Sequence, residues 1–200
     1  MICHSFSAYL ALRFLTKFPE VMSQHVKQIV CLSPIGITPS EEDYKNFSKG
    51  CRDCFYTALV KVGWNLKLSY KQLLKNVGCC LRNKILDDFT EQIELKEKEK
   101  QLFSSILKTM IALPTGSESL FFSYFDPRVL PKVPLEPIFE SPPLQVTLVY
   151  GGESDWVDKK GGLRLGKKFP KRVEVRTLEK CSHNIPFHTS ECVALFEELF

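Results

Sequence analysis

The first fifteen residues constrain the fold more than any later stretch, because they combine the end of a strand, a sharp turn and a helix. Small and apolar side chains recur at i, i+3, i+4 and i+7, the spacing of one buried helix face, at Ala8, Ala11, Leu12 and Leu15. Pro19 predicts the end of this helix. The turn carries Ser5, and its hydroxyl would lie beside the amide of Phe6 and the positive end of the helix. This arrangement is typical of a nucleophile elbow.

The elbow departs from its usual pattern at two positions. The usual spacing is Gly-x-Ser-x-Gly, and Cys3 and Ser7 stand at the two glycine positions. Both side chains are small, so part of the space beside the serine is kept. An N-cap serine at the start of an ordinary helix explains the same residues equally well. The choice between the two interpretations depends on residues far along the chain.

Length, composition and charge are those of one globular domain. The 200 residues are 44% hydrophobic and 25% charged, with a formal net charge of +4. The charge is mild and basic residues are not interleaved with aromatic ones, so we expect no nucleic-acid binding. The start of the chain lacks the basic region and apolar core of a secretory signal, and no apolar run is long enough to span a membrane. We therefore expect an intracellular protein with eight reduced cysteines.

Two cysteine pairs are the candidates for a metal site. Cys51 with Cys54 and Cys79 with Cys80 have no flanking histidine, and the second pair lacks the usual gap. We expect no metal and no cofactor.

Strand and helix patterns alternate at both ends of the chain and predict a parallel α/β sheet. Strands are predicted at residues 26–32, 145–151 and 173–178, and Ser190 and Glu191 open a last helix. The stretch between the first two strands carries no clear strand signal. We therefore predict an α/β core formed by residues 1–38 and 138–200, with residues 39–137 inserted as a helical cap.

The cap mixes apolar residues with lysines. For residues 55–86, helices with lysines in water are favoured over a membrane-contacting face. The charge run at residues 91–101 is predicted to be a solvated helix face, and residues 106–113 to continue that helix toward the core.

Three chemically complementary groups follow the carboxyl ends of predicted parallel strands, which meet at one edge of a sheet. Ser5 follows the first strand, Asp155 and Asp158 follow the strand at 145–151, and His183 follows the last strand. The order serine, acid, histidine is that of a hydrolase triad, in which the histidine takes the serine proton and the carboxylate holds the histidine. Asp155 is favoured as the acid, and Asp158 is the alternative.

Five segments together resemble one α/β-hydrolase subfamily. They are residues 4–11, 32–36, 112–118 and 146–162, the last with the pattern Tyr-Gly-x-x-x-Asp-Trp-Val-Asp-x-x-Gly-Gly, and finally Ser182-His183-Asn184. The subfamily contains the lipid-droplet lipase co-activator, the N-acyl phospholipid lipase and the mitochondrial cardiolipin-specific deacylases. The resemblance covers almost the whole chain, and the Asp-Trp-Val-Asp block is its most specific part.

The resemblance implies the carboxyl-terminal half of an α/β-hydrolase fold and a serine carboxylic-ester hydrolase that deacylates phospholipids or lysophospholipids. Ser5 would be the nucleophile and His183 the general base, and the Phe6 backbone amide would be an oxyanion donor. The partners would be the lipid substrate and the surface of a lipid droplet or mitochondrial membrane, reached from the cytoplasm.

Two other functions remain open. One is a non-catalytic regulator that docks on lipid surfaces or on a lipase. The other is a lysophosphatidic acid acyltransferase, although members with that activity carry an aspartate five residues after the histidine, where this chain has His188.

The resemblance also implies about 150 further residues ahead of the elbow. They would supply four more strands and the loop that donates a second oxyanion amide. We therefore expect this chain to be an incomplete copy of a longer enzyme rather than a truncated relative without activity.

Overall fold

The computed structural model describes residues 1–37, 62–91, 93, 95–114, 116, 120–126, 130–140, 145–152 and 155–200. The chain divides into two compact units. The first is formed by Met1–Cys51 and Val129–Phe200, and the second by Arg52–Arg128.

A four-stranded parallel sheet organises the first unit, in the order β1-β2-β3-β4. The strands are β1 (Ile2–His4), β2 (Gln28–Leu32), β3 (Gln145–Gly151) and β4 (Val173–Leu178). The parallel sheet predicted from the sequence is confirmed. β2 begins two residues later than predicted, at Gln28, where its pairing with Gln145 of β3 begins.

The helices that matter for the packing of the described residues are numbered in chain order. They are α1 (Phe6–Lys17), α2 (Pro19–His25), α3 (Tyr70–Asn76), α4 (Cys79–Glu91), α5 (Glu97–Ala112), α6 (Phe121–Tyr124), α7 (Lys160–Lys168) and α8 (Thr189–Leu199). Two 3₁₀ turns lie at Glu136–Glu140 and Ile185–Phe187.

The two central strands are apolar on both faces, as expected for parallel strands covered by helices on both sides. On one face, side chains of β2 and β3 pack with those of the last loop and α8: Val30, Leu32, Val149, Cys181, Ile185, Cys192 and Leu195. On the other face, α7 approaches β3 so closely that a Cβ at Gly162 would lie 2.4 Å from the Tyr150 hydroxyl. Helix α7 therefore reaches the sheet only because Gly162 has no side chain.

Helix α1 ends at Lys17, close to Pro19 as predicted. Pro19 also begins α2, which was not predicted. At the first position of a helix, the missing N–H of proline costs no helical hydrogen bond. The buried face of α1 includes Tyr9 in addition to the predicted Ala8, Leu12 and Leu15.

The second unit contains helices α3 to α6, of which α3, α4 and α5 share a small apolar cluster of Leu74, Ile85, Leu86 and Ile111. Helix α3 begins with a capping box, in which Ser69 and Gln72 satisfy each other's backbone amides. No helix among the described residues is long and apolar enough to cross a membrane.

One face of α5 is apolar and exposed. Ile111 points into the cluster, but four other side chains along α5 and at its C-cap are 45% to 64% exposed: Leu102, Ile106, Met110 and Leu113. We call these four residues the α5 stripe. The prediction that residues 106–113 run toward the core is therefore wrong for Ile106, Met110 and Leu113, which are about half exposed, because the 3.6-residue period turns Ile106 and Met110 away from the face of Ile111.

Candidate active site

Ser5 forms the turn between β1 and α1. Its backbone has φ 51° and ψ −120°, a sparsely populated conformation for a residue with a side chain. Its amide donates to the carbonyl of Leu32 at the end of β2, with an N–O distance of 2.9 Å. Its side chain makes no capping hydrogen bond to α1, which argues against the N-cap interpretation.

Ser7 stabilises the elbow from the second glycine position. Its hydroxyl donates to the His4 carbonyl at 2.7 Å and accepts from the His4 amide at 3.0 Å. The departure from glycine therefore adds two local contacts to the turn that presents Ser5.

His183 lies between Ser5 and Asp155. Its Nε2 is 3.0 Å from Ser5 Oγ, and its Nδ1 is 3.2 Å from Asp155 Oδ1. A carboxylate only accepts hydrogen bonds, so Nδ1 carries the proton of the neutral imidazole and Nε2 is free to accept from the Ser5 hydroxyl. The side chains of Asp155 and His183 are 2% and 13% exposed.

Asp155 is held as a carboxylate by four donors. Its Oδ1 also accepts from the Val157 amide at 3.0 Å, and its Oδ2 accepts from the Gly151 amide at 2.9 Å and from the Ser33 hydroxyl. Burial disfavours the charged form, but the hydrogen bonds outweigh it and hold the pKa of Asp155 below its usual value. Asp155 is therefore ionised at neutral pH.

Asp158, the alternative acid, has a different partner. Its Oδ1 accepts from the amide of Lys160, the first residue of α7, at 2.8 Å. The structure thus brings Asp155, and not Asp158, to His183.

A close backbone approach brings the acid loop to the histidine loop. A Cβ at Gly151 would lie 2.5 Å from the Cys181 carbonyl and 2.7 Å from the Ser182 carbonyl. Glycine at the end of β3 thus lets the two loops meet.

Two rings lie beside the imidazole of His183. The Trp156 ring centroid is 4.4 Å away, and Trp156 is 45% exposed. The His4 centroid is 5.0 Å away, and His4 Nε2 donates to the His183 carbonyl at 2.8 Å. Burial lowers the pKa of His4. The contacts of His4 and Trp156 with His183 were not predicted from the sequence, where the only signal for them is that they adjoin Ser5 and Asp155.

His188 supports the histidine loop. It is buried, and its Nε2 accepts from the Ser182 amide at 3.2 Å. The side chain at the position of the acyltransferase aspartate thus holds the backbone next to His183.

One group of described residues has the types and closeness of metal ligands: Cys181, His188 and Glu191, with ligand atoms within 4.8 Å of one another. Cys181 belongs to the apolar cluster under α8, and His188 already accepts from the Ser182 amide. Cys79 and Cys80 are free thiols, while Cys51 and Cys54 lie outside the described residues.

Phe6 is the first residue of α1, so its backbone amide lies at the helix N-terminus directly after Ser5. An amide at this position is suited to bind an oxyanion formed at the serine.

Solved structures resemble this chain over nearly its whole length. A bromoperoxidase from Bacillus anthracis superposes with a TM-score of 0.58 at 16% identity, covering 98% of this chain and 66% of the other. The thioesterase domain from the curacin biosynthetic pathway gives 0.54 at 15% identity, covering 98% and 64%. A membrane phospholipase A described as a bacterial virulence factor gives 0.51 at 16% identity, covering 98% and 56%.

These similar structures are members of the α/β-hydrolase superfamily. This chain spans less than two thirds of the length of each of them. No protein-family model matches the sequence, and no curated protein matches it. The parallel sheet, its helices and the superpositions together give this chain an α/β-hydrolase-like fold.

Proposed function

We propose that this chain carries the catalytic serine, histidine and acid of a carboxylic-ester hydrolase that deacylates phospholipids or lysophospholipids. The observation that carries the proposal is the hydrogen-bonded series from Ser5 Oγ through His183 to Asp155. Three side chains from distant parts of the chain meet there in the order that nucleophilic catalysis needs.

The geometry supports a two-step mechanism. Nε2 of His183 takes the Ser5 proton while Oγ attacks the ester carbonyl, and Asp155 stabilises the imidazolium that forms. His183 then gives this proton to the leaving alcohol, which leaves the acyl group on Ser5. In the second step, His183 takes a proton from water, the hydroxide displaces the acyl group, and the proton returns to Ser5 as the fatty acid departs.

The amide of Phe6 is one donor for the oxyanion of each tetrahedral intermediate. In the resembled subfamily the second donor lies in the segment ahead of the elbow. We propose that such a segment completes the site, because removing one donor from an oxyanion hole costs about 10²- to 10³-fold in rate.

Four observations support a lipid substrate. The sequence resembles a subfamily of phospholipid-acting enzymes, and one similar structure is a membrane phospholipase A. The α5 stripe presents an apolar face of the kind that enters a lipid surface. At its carboxyl-terminal end, Lys71 and Lys75 donate to the carbonyls of Pro114 and Leu113. Ammonium groups at the end of an apolar face favour anionic head groups.

We therefore propose peripheral binding to the surface of a lipid droplet or mitochondrial membrane, with the α5 stripe inserted. The hydrogen-bonded triad favours a hydrolase over a non-catalytic regulator, which needs no such arrangement. The acyltransferase alternative gains no support, because His188 occupies the aspartate position and holds the Ser182 amide.

The test is covalent labelling followed by turnover. A fluorophosphonate probe reacts only with an activated serine, and peptide mass spectrometry locates the label. The chain is assayed alone and joined to the amino-terminal segment that the resemblance implies, with p-nitrophenyl butyrate and with a phospholipid. We expect labelling at Ser5 and fatty-acid release in the joined form, both lost in Ser5→Ala. Equal turnover by Ser5→Ala would rule out the catalytic assignment.

A further inference from the structure

The two oxygens of Asp155 have separate tasks. Oδ1 faces His183 Nδ1, whereas Oδ2 faces away from the imidazole and accepts from Ser33 Oγ and the Gly151 amide. A carboxylate rotates readily about its last side-chain bond, because this torsion has broad minima. The donors on Oδ2, together with the Val157 amide on Oδ1, therefore set which way Oδ1 points.

Ser33 is held firmly enough to serve as such a donor. Its side chain is fully buried, and its amide donates to the Val149 carbonyl of the neighbouring strand at 2.7 Å. Its backbone has φ 41°, in the left-handed region that disfavours side chains. A serine at this position keeps a strained backbone and supplies a hydroxyl, which glycine would not do.

The end of β2 contacts both ends of the triad. The Leu32 carbonyl accepts a hydrogen bond from the Ser5 amide. The hydroxyl of the next residue, Ser33, donates a hydrogen bond to Asp155. Two consecutive residues at the end of one strand thus fix the positions of the nucleophile and the acid relative to each other.

We propose that Ser33 is a positioning residue of the hydrolase, whose hydroxyl fixes the Asp155 carboxylate so that Oδ1 faces Nδ1 of His183. The catalytic part of this inference rests on the proposed function. The Ser33 hydroxyl bonds to Asp155, and through Asp155 it acts on His183 and Ser5.

The variant Ser33→Gly distinguishes the effect of the hydroxyl from the effect of the strained backbone. Glycine removes the hydroxyl but favours a positive φ, so Ser33→Gly relieves backbone strain that Ser33→Ala retains. Ser33→Thr keeps the hydroxyl and adds a methyl group that is disfavoured at positive φ. If the hydroxyl positions Asp155, the glycine variant will be the less active and the more stable of the two, and the threonine variant the more active and the less stable.

The experiment uses the joined form and measures kcat and KM for p-nitrophenyl butyrate, the melting temperature, and the proton resonance of the His183 Nδ1–H in protein labelled with ¹⁵N-histidine. For Ser33→Gly we expect kcat to fall roughly ten- to a hundredfold with KM within about twofold, the loss of one hydrogen bond to a charged group. The melting temperature should equal or exceed that of Ser33→Ala. The Nδ1–H resonance should shift and exchange faster with water. Ser33→Thr should melt lower and keep more activity than Ser33→Gly.

An unchanged kcat and an unchanged Nδ1–H resonance in Ser33→Gly would overturn the proposal and leave Ser33 as a space-filling residue. The resonance requires no turnover, so it reports the positioning of Asp155 independently of the hydrolase activity. If the natural chain hydrolyses no ester but Ser33→Gly still displaces the resonance, the hydrolase assignment fails and the positioning of Asp155 by Ser33 stands.

Discussion

The imidazole of His4 donates from Nε2 to the backbone carbonyl of His183, at 2.8 Å. The residue before the nucleophile thereby holds the residue that activates it. The two rings lie 5.0 Å apart, so a proton gained by His4 would place a positive charge beside His183, with Asp155 as the nearby carboxylate.

This contact predicts a pH-dependent loss of stability. Burial lowers the pKa of His4 below its unfolded value, so the unfolded chain binds the proton more tightly and folding stability falls as the pH drops below the unfolded value near 6.5. His4→Gln keeps a donor but does not titrate. We expect urea denaturation to show a growing advantage of His4→Gln over the natural chain as the pH falls from 7 to 5. A constant difference across this range would contradict the assignment.

Asp155 and Asp158 provide a matched pair of substitutions. Asp155→Asn removes the carboxylate that stabilises the His183 imidazolium, and we expect kcat to fall by about 10⁴-fold, as in other triads. Asp158→Asn alters the hydrogen bond to the Lys160 amide at the start of α7, and kcat should stay within about twofold. Comparable losses in both variants would contradict the choice of Asp155.

Trp156 is predicted to stabilise the imidazolium that His183 becomes when it takes the Ser5 proton. Its ring lies 4.4 Å from the imidazole and is partly exposed, a setting in which a cation–π contact contributes about 0.5–1 kcal/mol. Trp156→Leu should therefore lower kcat about two- to fivefold, while Trp156→Phe retains most of it. Measuring both variants at equal substrate saturation and checking their melting temperatures excludes a loss of folded protein as the cause.

The approach of α7 to β3 predicts a large effect from one methyl group. Gly162→Ala places a Cβ within 2.4 Å of the Tyr150 hydroxyl and 2.6 Å of its ring, so we expect destabilisation by about 1–3 kcal/mol. Gly78→Ala is the control, because nothing lies within 4 Å of its new Cβ. Thermal unfolding of the two variants gives the comparison, and equal midpoints would refute the close contact.

The α5 stripe predicts a separation of lipid binding from ester cleavage. Replacing Ile106 and Met110 by serine should weaken binding to vesicles of phosphatidylcholine with 30% phosphatidylserine, about tenfold or more, with no change in p-nitrophenyl butyrate turnover. Val193→Ser, an exposed apolar residue of α8 in the other unit, serves as the control and should bind like the natural chain. Vesicle sedimentation reports the binding, and undiminished binding by the double variant would remove the stripe from the proposal.

Much of the site could be predicted from the sequence because parallel strands bring their carboxyl ends together. Ser5, Asp155 and His183 each follow such an end, and their chain order then indicates a triad. Ser33 also follows a strand end, but its role depends on a contact between loops and on a positive φ, which a serine in the sequence does not predict. The choice between Asp155 and Asp158 likewise depends on the folded structure, because both residues lie in the same loop.

The cap shows the opposite difficulty. A helical period identifies two faces of α5 but does not say which apolar face is covered. Ile111 and Ile106 are equally apolar, yet one is buried and the other is exposed. Only the positions of α3 and α4 against α5 decide between them.

Every hydrogen bond that aligns the triad arises within the unit formed by Met1–Cys51 and Val129–Phe200. The inserted unit contributes none of the described donors and acceptors around Ser5, His183 and Asp155. On the proposed function, exchange of the insert should therefore leave these hydrogen bonds of the triad in place. On the proposed function, reactivity belongs to the first unit and the choice of surface to the inserted unit, so that each can change while the other is preserved.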